Sequence, residues 1–157
     1  MKSTARVQPG DPGIRKLADY LCFAIYSANL ALGKAYKPIL EELGLSYTQY
    51  IVVIALWEED QQTVGGLGEK LFLESNTLTP ILKKLETMGY LRRQRDAKDE
   101  RQVRVGLTEA GRRLRQSALG KNVLEATGLA PEQVPEVQQL IAQIRDKLLE
   151  AAKKHGA

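Results

Sequence analysis

The sequence has little of the two residue types that most often build reactive or metal-binding sites. Cys22 is the single cysteine and His155 the single histidine among 157 residues. These counts exclude a disulfide framework, and they argue against a Cys/His zinc site or a catalytic cysteine–histidine pair. We therefore expect no metal, no cofactor and no catalytic residues. Aromatic residues make up only 6% of the chain, so the core must be mainly aliphatic, which favours helices.

Long apolar runs are missing as well. The first thirteen residues contain no apolar stretch, which argues against a signal peptide or a membrane anchor. A single unpaired thiol is typical of a reducing compartment. We expect a soluble, cytoplasmic protein without a membrane partner, in which residues 1–12 form a flexible arm.

The net charge of +4 is distributed unevenly along the chain. The segment from Lys70 to Arg115 contains twelve Lys/Arg residues against six Asp/Glu, whereas the rest contains eleven against thirteen. A basic third in a slightly acidic protein suggests a polyanion partner such as DNA. A well-solvated surface explains so small an excess equally well, so the charge indicates DNA only if a suitable motif carries it.

The first predicted helix is bounded by local signals. Asp11 and Pro12 suit its first positions, Pro38 perturbs its later part, and Gly44 suits its C-terminal end. Between Tyr20 and Gly33 there is no charged residue. A helix that is apolar nearly all round is usually buried on all sides. In so short a chain, this predicts burial between subunits.

Three further helices and a hairpin follow. The capping box Ser46-Tyr47-Thr48-Gln49 opens one helix, Thr63 caps a short helix that runs through Lys70, and a third runs from about Glu74–Thr77 to Met88. Alternation of period two then predicts strands at Tyr90–Arg95 and around Val103, Val105 and Leu107, joined by the charged loop 96–102.

Two helices complete the predicted order. Thr108 and Glu109 begin the first, and Pro131 opens the second. The second has an apolar seam of heptad-like spacing, formed by Val137, Leu140, Ile141, Ile144 and Leu148. The predicted fold class is mainly α.

A short helix, a tight connection, a second helix and a charged hairpin form a winged helix-turn-helix, whose second helix enters the major groove of DNA. The predicted DNA-binding residues of that helix are Ser75, Asn76, Thr77, Thr79 and Lys83. At the hairpin tip, Arg95, Lys98 and Arg101 are long enough to reach the minor groove. Helix capping is the simpler explanation for the Ser, Asn and Thr residues, and we expect at least one of them to cap.

The wing resembles that of a known family. Asp99-Glu100-Arg101, followed by Leu107-Thr108-Glu109-Ala110-Gly111, is similar to the wing signature of the multiple-antibiotic-resistance regulator (MarR) family of dimeric winged-helix transcription factors. The resemblance covers residues 15–155 and implies that Asp99 positions Arg101 for the minor groove. It also implies a single unit over residues 13–157, with dimerisation helices at 13–44 and 112–157, a DNA-binding lobe at 45–111, and an inverted-repeat operator.

Within that family, the sequence resembles the organic hydroperoxide resistance regulators (OhrR). The similar segments are Leu21-Cys22-Phe23-Ala24, Lys34-Ala35-Tyr36-Lys37-Pro38, Gly44-Leu45-Ser46-Tyr47-Thr48-Gln49-Tyr50, and Phe72-Leu73-Glu74-Ser75 with Thr77-Leu78-Thr79-Pro80. The resemblance implies that Cys22 senses organic hydroperoxides and that two tyrosines from beyond the first helix, Tyr36 and Tyr47, hydrogen-bond to its sulfur.

Some members of the subfamily carry a second, resolving cysteine, which this sequence lacks. The oxidised Cys22 would then form a mixed disulfide with a small thiol or become over-oxidised. The sequence thus predicts a dimeric repressor that releases its operator when Cys22 is oxidised.

Three alternatives remain open. A lone cysteine on an apolar helix is often an inert core residue. A regulator of the same fold could instead respond to a small anionic or phenolic ligand bound between the DNA-binding lobe and the dimer region. A thiol peroxidase is disfavoured, because such enzymes activate cysteine at a helix N-terminus or beside a cation, whereas we expect Cys22 in mid-helix, with no charge between Asp19 and Lys34.

Overall fold

Helices dominate the computed structural model, which describes residues 16–118 and 123–154. The chain divides into two units, residues 1–35 and 36–157, which we treat separately. The predicted arm, the helix start at Asp11 and Pro12, and His155 lie outside the described residues.

No single described helix is long and apolar enough to cross a membrane. Only when Leu21–Leu43 and Tyr47–Glu58 are counted together, across a bend of 72°, do two described helices reach the length and apolar composition of a membrane span.

The first long helix, α1, spans Leu21–Leu43 and follows a 3-10 turn at Leu17–Asp19. Because Tyr20 between them is extended, Cys22 lies in the first turn of α1. The expectation that Cys22 lies in mid-helix is therefore wrong. Tyr36 belongs to the same helix, so the expectation that both tyrosines come from beyond it is wrong for Tyr36. The helix continues through Pro38, because an internal proline removes one backbone hydrogen bond without preventing the following turns.

The helices α2 (Tyr47–Glu58) and α3 (Val64–Leu71) begin at the predicted caps. The Ser46 hydroxyl accepts from the backbone N–H of Gln49 at 3.3 Å, and the Gln49 side chain accepts from the Ser46 N–H at 2.8 Å. Thr63 Oγ1 accepts from the N–H of Gly66 at 3.0 Å. Both capping predictions are confirmed, since they depend only on residues within one helical turn.

Helix α4 spans Ser75–Thr87, and its N-cap is Glu74, whose side chain makes no capping hydrogen bond. The expectation that one of the Ser, Asn or Thr residues caps this helix is wrong. Because the helix begins at Ser75 itself, Ser75, Asn76 and Thr77 already occupy its first turn. Their side chains therefore project from the helix instead of closing its end.

Three antiparallel strands form a small sheet in the order β1-β3-β2. The predicted hairpin is formed by β2 (Leu91–Arg95) and β3 (Val103–Leu107). Tyr90, predicted in the strand, instead ends the helical turn, where its N–H donates to the Leu85 carbonyl at 3.0 Å. The sequence analysis missed β1 (Gln62–Thr63), because two residues are too few to show a period.

Helix α5 (Glu109–Ala118) is joined to the sheet through the Leu107–Gly111 motif. Thr108 Oγ1 donates to the Gly89 carbonyl at 2.6 Å and accepts from the Gly111 N–H at 3.1 Å. A Cβ at Gly111 would lie 2.0 Å from the Tyr90 carbonyl oxygen, and Trp57 Nε1 donates to the Gly111 carbonyl at 2.9 Å. The motif is thus a junction between α2, the sheet and α5, and its glycine allows the close approach.

A continuous aliphatic core extends through α2 to α5 and includes Leu40 and Leu43 of α1 and Leu45 after it. From here on, the lobe means residues 46–118 of the structure, which run seven residues past the predicted DNA-binding lobe. Its most deeply buried side chains are those of Val52, Val53, Leu56, Leu67, Leu78, Leu82, Leu85, Leu91 and Val105. The last helix, α6 (Val134–Lys154), follows a 3-10 turn at Pro131–Gln133 and has no buried residue. Leu140, Ile141 and Leu148 on its predicted seam are 56%, 61% and 60% exposed.

Candidate nucleic-acid interface

An open groove of about 630 Å³ lies between the start of α4 and the wing formed by β2, β3 and their loop. It is lined by Thr63, Val64, Gly65, Gly66, Glu69, Ser75, Thr79, Leu82, Arg93, Arg101, Gln102 and Val103. The groove brings together Ser75, Thr79 and Arg101 of the predicted DNA-binding residues. Four others, Asn76, Thr77, Lys83 and Arg95, are exposed but do not line it.

At the wing tip, Asp99 holds Arg101 by two side-chain contacts and one backbone contact. Arg101 Nε donates to Asp99 Oδ1 at 2.9 Å, Nη2 donates to Oδ2 at 3.2 Å, and the Arg101 N–H donates to Oδ1 at 3.2 Å. These hydrogen bonds, first those from the Arg101 side chain, lower the pKa of Asp99. The Arg101 side chain is nevertheless 90% exposed. Its guanidinium is therefore oriented and still available to a partner.

A buried carboxylate at the base of the wing was missed by the sequence analysis. Asp96 is only 6% exposed. Its carboxylate accepts from the Lys98 N–H at 2.7 Å and pairs with Arg104 Nε. The Lys98 N–H and then the Arg104 side chain lower the pKa of Asp96 below its usual value. The sequence pattern showed only a charged loop residue, because the partner Arg104 becomes a neighbour only when the hairpin closes.

A second missed contact connects α4 with the wing. Arg93 donates to Glu86 through its N–H at 3.0 Å, through Nε at 2.8 Å and through Nη2 at 2.6 Å. The hydrogen bonds from the Arg93 side chain are the main cause of the lowered pKa of Glu86. Although Arg93 lines the groove, its guanidinium is committed to this pair. We therefore assign it to orienting the wing against α4.

In the first unit, Cys22 is a free thiol exposed to solvent. Leu21 and Ile25 near it on α1 are also exposed. Across residues 16–118 and 123–154, no three Cys, His, Asp or Glu side chains are arranged to hold a metal ion.

In the second unit, the rings of Tyr36, Tyr47 and Tyr50 pack together, and we call these three residues the tyrosine cluster. The ring centres of Tyr36 and Tyr47 are 5.4 Å apart, and those of Tyr36 and Tyr50 are 6.0 Å apart. Burial, and then the neighbouring Tyr36, raise the pKa of Tyr47, so its hydroxyl remains a donor at neutral pH. Within the described part of the chain, neither the Tyr36 nor the Tyr47 hydroxyl has a hydrogen-bond partner. Tyr50 was not among the predicted site residues.

Comparison with known families gives one match across the lobe. Residues 34–117 match the family described as transcriptional regulator SarA/Rot. The matched segment includes the tyrosine cluster, the groove and the wing, but it does not include Cys22.

Individual relatives extend the similarity toward both ends. The chain is 41% identical over 150 residues to the HTH-type transcriptional regulator TtmR of Methylorubrum extorquens (strain PA1), covering 94% of this chain and 74% of TtmR. It is 43% identical over 104 residues to the organic hydroperoxide resistance transcriptional regulator of Bacillus subtilis (strain 168), covering 66% of this chain and 71% of that protein.

A solved structure of reduced AbfR bound to DNA is similar in fold. The TM-score is 0.73 at 33% sequence identity, with 86% of this chain and 94% of the AbfR chain covered; AbfR comes from Staphylococcus epidermidis. The predicted mainly helical, winged-helix architecture is confirmed.

Proposed function

The chain belongs to the SarA/Rot/MarR-type winged-helix transcriptional regulators, and on this basis we propose that it is a dimeric repressor that releases its operator when organic hydroperoxides oxidise Cys22. The relatives are transcriptional regulators and not enzymes, so the protein is not an enzyme. In our proposal it acts in the cytoplasm, where it binds an inverted-repeat operator.

The main support for DNA binding is Arg101, which is exposed and oriented at one edge of the groove. The first turn of α4 forms the other edge. The N-cap of α4 is Glu74, and the side chains of Ser75, Asn76 and Thr77 are exposed in its first turn. Thr77 Oγ1 donates to Asn76 Oδ1 at 3.3 Å, which leaves the Asn76 amide N–H groups and the Ser75 hydroxyl to contact base edges and phosphates. In winged helix-turn-helix proteins, the N-terminal residues of the second helix contact the major groove. Arg101 would then reach the adjacent minor groove.

Dimerisation is supported by apolar side chains that the single chain does not bury. Leu140, Ile141 and Leu148 of α6 are more than half exposed. In the first unit, Leu21 and Tyr26 are also more than half exposed. Exposed apolar surface marks an interaction site, and the heptad-like spacing on α6 suits a second helix. A second copy of the chain is the occupant that an inverted-repeat operator requires.

Sensing rests on the exposed thiol of Cys22. In the proposed reaction, the Cys22 thiolate attacks one peroxide oxygen and the O–O bond breaks. The sulfur is oxidised to a sulfenic acid, and the hydroperoxide is reduced to the alcohol. A small thiol then condenses with the sulfenic acid, forming a mixed disulfide and releasing water.

The tyrosines would stabilise the sulfur from a second copy of the chain. Tyr36 and Cys22 belong to one helix, but helical side chains meet only at spacings of three or four residues. Positions 22 and 36 are too far apart for that. Since the Tyr36 and Tyr47 hydroxyls have no partner among the described residues, we propose that they donate to Cys22 of the other subunit.

The test is operator binding before and after oxidation. The reduced protein first selects an operator from random duplexes, and its affinity is then measured by fluorescence anisotropy with and without cumene hydroperoxide. We expect the wild type to lose at least about tenfold in affinity, with a mass shift on Cys22, whereas Cys22→Ser stays bound. An unchanged affinity of a fully oxidised wild type would refute sensing and leave DNA binding intact.

The tyrosine cluster supplies its own control. Tyr36→Phe and Tyr47→Phe each remove one hydroxyl that we assign to the sulfur, and we expect slower formation of the sulfenic acid. Tyr50→Phe changes the same cluster at a buried position with no proposed role. Equal oxidation rates in all three variants would show that the hydroxyls do not act on the sulfur.

A further inference from the structure

A second, smaller concave site lies on the face of the sheet that does not contact α4. It has a volume of about 240 Å³ and is lined by Gln61, Arg92, Gln94, Arg104, Gly106, Leu107 and Arg112. The groove described above contains other residues of the same strands, Arg93 and Val103. The two sites therefore share no lining residue and face opposite sides of the wing.

The strand register explains why this pocket exists. Arg92 of β2 pairs with Gly106 of β3, and Gln94 pairs with Arg104. Side chains two residues apart on a strand point to one face, so Arg92, Gln94 and Arg104 stand together. Gly106 opposite Arg92 contributes no side chain, and a Cβ there would lie 1.9 Å from the Gln61 side-chain nitrogen. The missing side chain therefore makes room for the Gln61 amide, which lines the pocket together with Arg92.

Two of the three guanidinium groups are held in place by carboxylates. Asp96 pairs with Arg104 Nε, while Arg104 Nη1 donates to the Gln61 carbonyl at 2.8 Å. Asp60 pairs with Arg112 and also accepts from the N–H groups of Leu107 and Gln61, both at 2.8 Å. Each guanidinium has five N–H donors, so both retain donors beyond these contacts.

Arg92 has no such partner. Within the described residues, no carboxylate or carbonyl accepts a hydrogen bond from its side chain. It stands on the same sheet face as Arg104, and like charges on neighbouring strands repel each other. Since Asp60 and Asp96 balance only two of the three arginines, the pocket keeps an excess positive charge.

We propose that this pocket is an oxyanion site in which Arg92, Arg104 and Arg112 bind a phosphate group. Guanidinium forks match the geometry of phosphate oxygens and bind them through paired hydrogen bonds. The bound group would bridge arginines that otherwise repel. The site is independent of the redox chemistry of Cys22, and its position opposite the groove favours a phosphate on a small molecule over one in the DNA backbone.

The probe is inorganic phosphate, titrated calorimetrically into the full-length reduced chain without DNA, in chloride buffer of matched ionic strength. We expect saturable binding by the wild type. In Arg92→Gln it should be at least about tenfold weaker, the effect of losing one charged hydrogen-bonding partner. Arg115→Gln removes the same charge from an exposed α5 position outside the pocket and should bind like the wild type.

A second variant tests the same geometry by another route. Arg92→Glu places a carboxylate beside Arg104, where the phosphate is proposed to bind. Phosphate should raise the thermal unfolding midpoint of the wild type by mass action, but it should leave the midpoint of Arg92→Glu unchanged. An equal phosphate response in Arg92→Glu and the wild type would overturn the proposal.

Binding to a mixed-sequence duplex identifies the source of the phosphate. If the DNA backbone supplies it, Arg92→Gln lowers the slope of log affinity against log salt by about 1, and Arg115→Gln does not. If a small molecule supplies it, the slope stays unchanged while free phosphate binds. An unchanged slope together with no saturable phosphate binding by the wild type would refute the site.

Discussion

The lobe and helix α6 place their apolar side chains in opposite ways. In the lobe, Leu67, Leu78 and Leu85 have no measurable exposure. On α6, no residue is buried, although its leucines and isoleucines recur at regular helical spacing. One contact between the two is a stacking of the Arg145 guanidinium on the Phe72 ring, 4.5 Å from its centre. The lobe therefore buries its apolar side chains in a core, whereas α6 leaves its apolar seam exposed.

The largest expected effect is on the core of the lobe. Leu85→Ala should lower the free energy of unfolding by about 3 kcal/mol, because it removes buried methylene groups and leaves a cavity. Leu148→Ala, the same change on α6, should alter the intrinsic stability of the lobe by less than about 0.5 kcal/mol. Urea unfolding monitored by Trp57 fluorescence measures both. Equal losses in the two variants would contradict the distinction between core and surface.

The next effect concerns the exposed seam. Ile141→Lys places a charge where we propose a second subunit, and it should weaken dimerisation at least about 30-fold, since a buried unpaired charge costs more than 2 kcal/mol. Gln143→Lys adds the same charge at an exposed polar position of α6. Sedimentation equilibrium gives the dimer constants, and circular dichroism checks the helix content. A wild-type dimer that both variants leave intact would exclude this face as the interface.

A smaller effect separates DNA binding from folding. Arg101→Ala should reduce operator affinity about tenfold and lower the salt slope by about 1, because it removes the contact to DNA that we propose for the wing. It should change stability by less than about 0.5 kcal/mol, since the side chain is almost fully exposed and exposed ion pairs contribute little. Lys147→Ala takes the same charge from α6 as the control. Equal losses of affinity in both variants would mean that net charge, and not the wing, determines binding.

The weakest of the predicted effects is the pH dependence of folding stability caused by the Asp60 carboxylate. Burial raises the pKa of Asp60, but the N–H groups of Leu107 and Gln61 and then Arg112 outweigh it, so its pKa is lowered overall. A lowered pKa means that the folded state binds the proton less readily than the unfolded chain. The resulting stabilisation is therefore complete above the usual value of 3.8 and is lost as the pH falls through the lower, folded value.

Asp60→Asn tests this dependence. At neutral pH it should cost about 1 kcal/mol, from the weakened hydrogen bonds, and the difference from the wild type should vanish in acid. Asp146→Asn, in an exposed pair on α6, should change stability by no more than a few tenths of a kcal/mol. Urea unfolding from pH 7 to pH 2.5 gives both curves. A constant difference across this range would refute the ionic contribution of Asp60.

Features that depend on near neighbours in the sequence were predictable. The caps at Ser46 and Thr63, the hairpin between β2 and β3 and the mainly helical winged-helix class all follow from short patterns, since the groups involved lie within a few residues of one another. The wing motif around Asp99 and Arg101 also joins residues that are close in the sequence. The single cysteine is read directly from the sequence. The boundaries were less predictable: Cys22 lies in the first turn of α1, and α1 continues through Pro38.

Contacts between groups far apart in the sequence depend on the fold. Asp60 binds Leu107 and Arg112, and Trp57 binds Gly111, across separations of 47, 52 and 54 residues. No local pattern encodes such pairs, because they form only when the sheet brings α2 and α5 together. The same closure buries Asp96 against Arg104, whereas no described residue accepts a hydrogen bond from the Arg92 side chain. That the wing is basic can be counted from its residues, but which of its arginines pair with carboxylates depends on the folded sheet, because strand pairing and packing against α4 set the neighbours of each side chain.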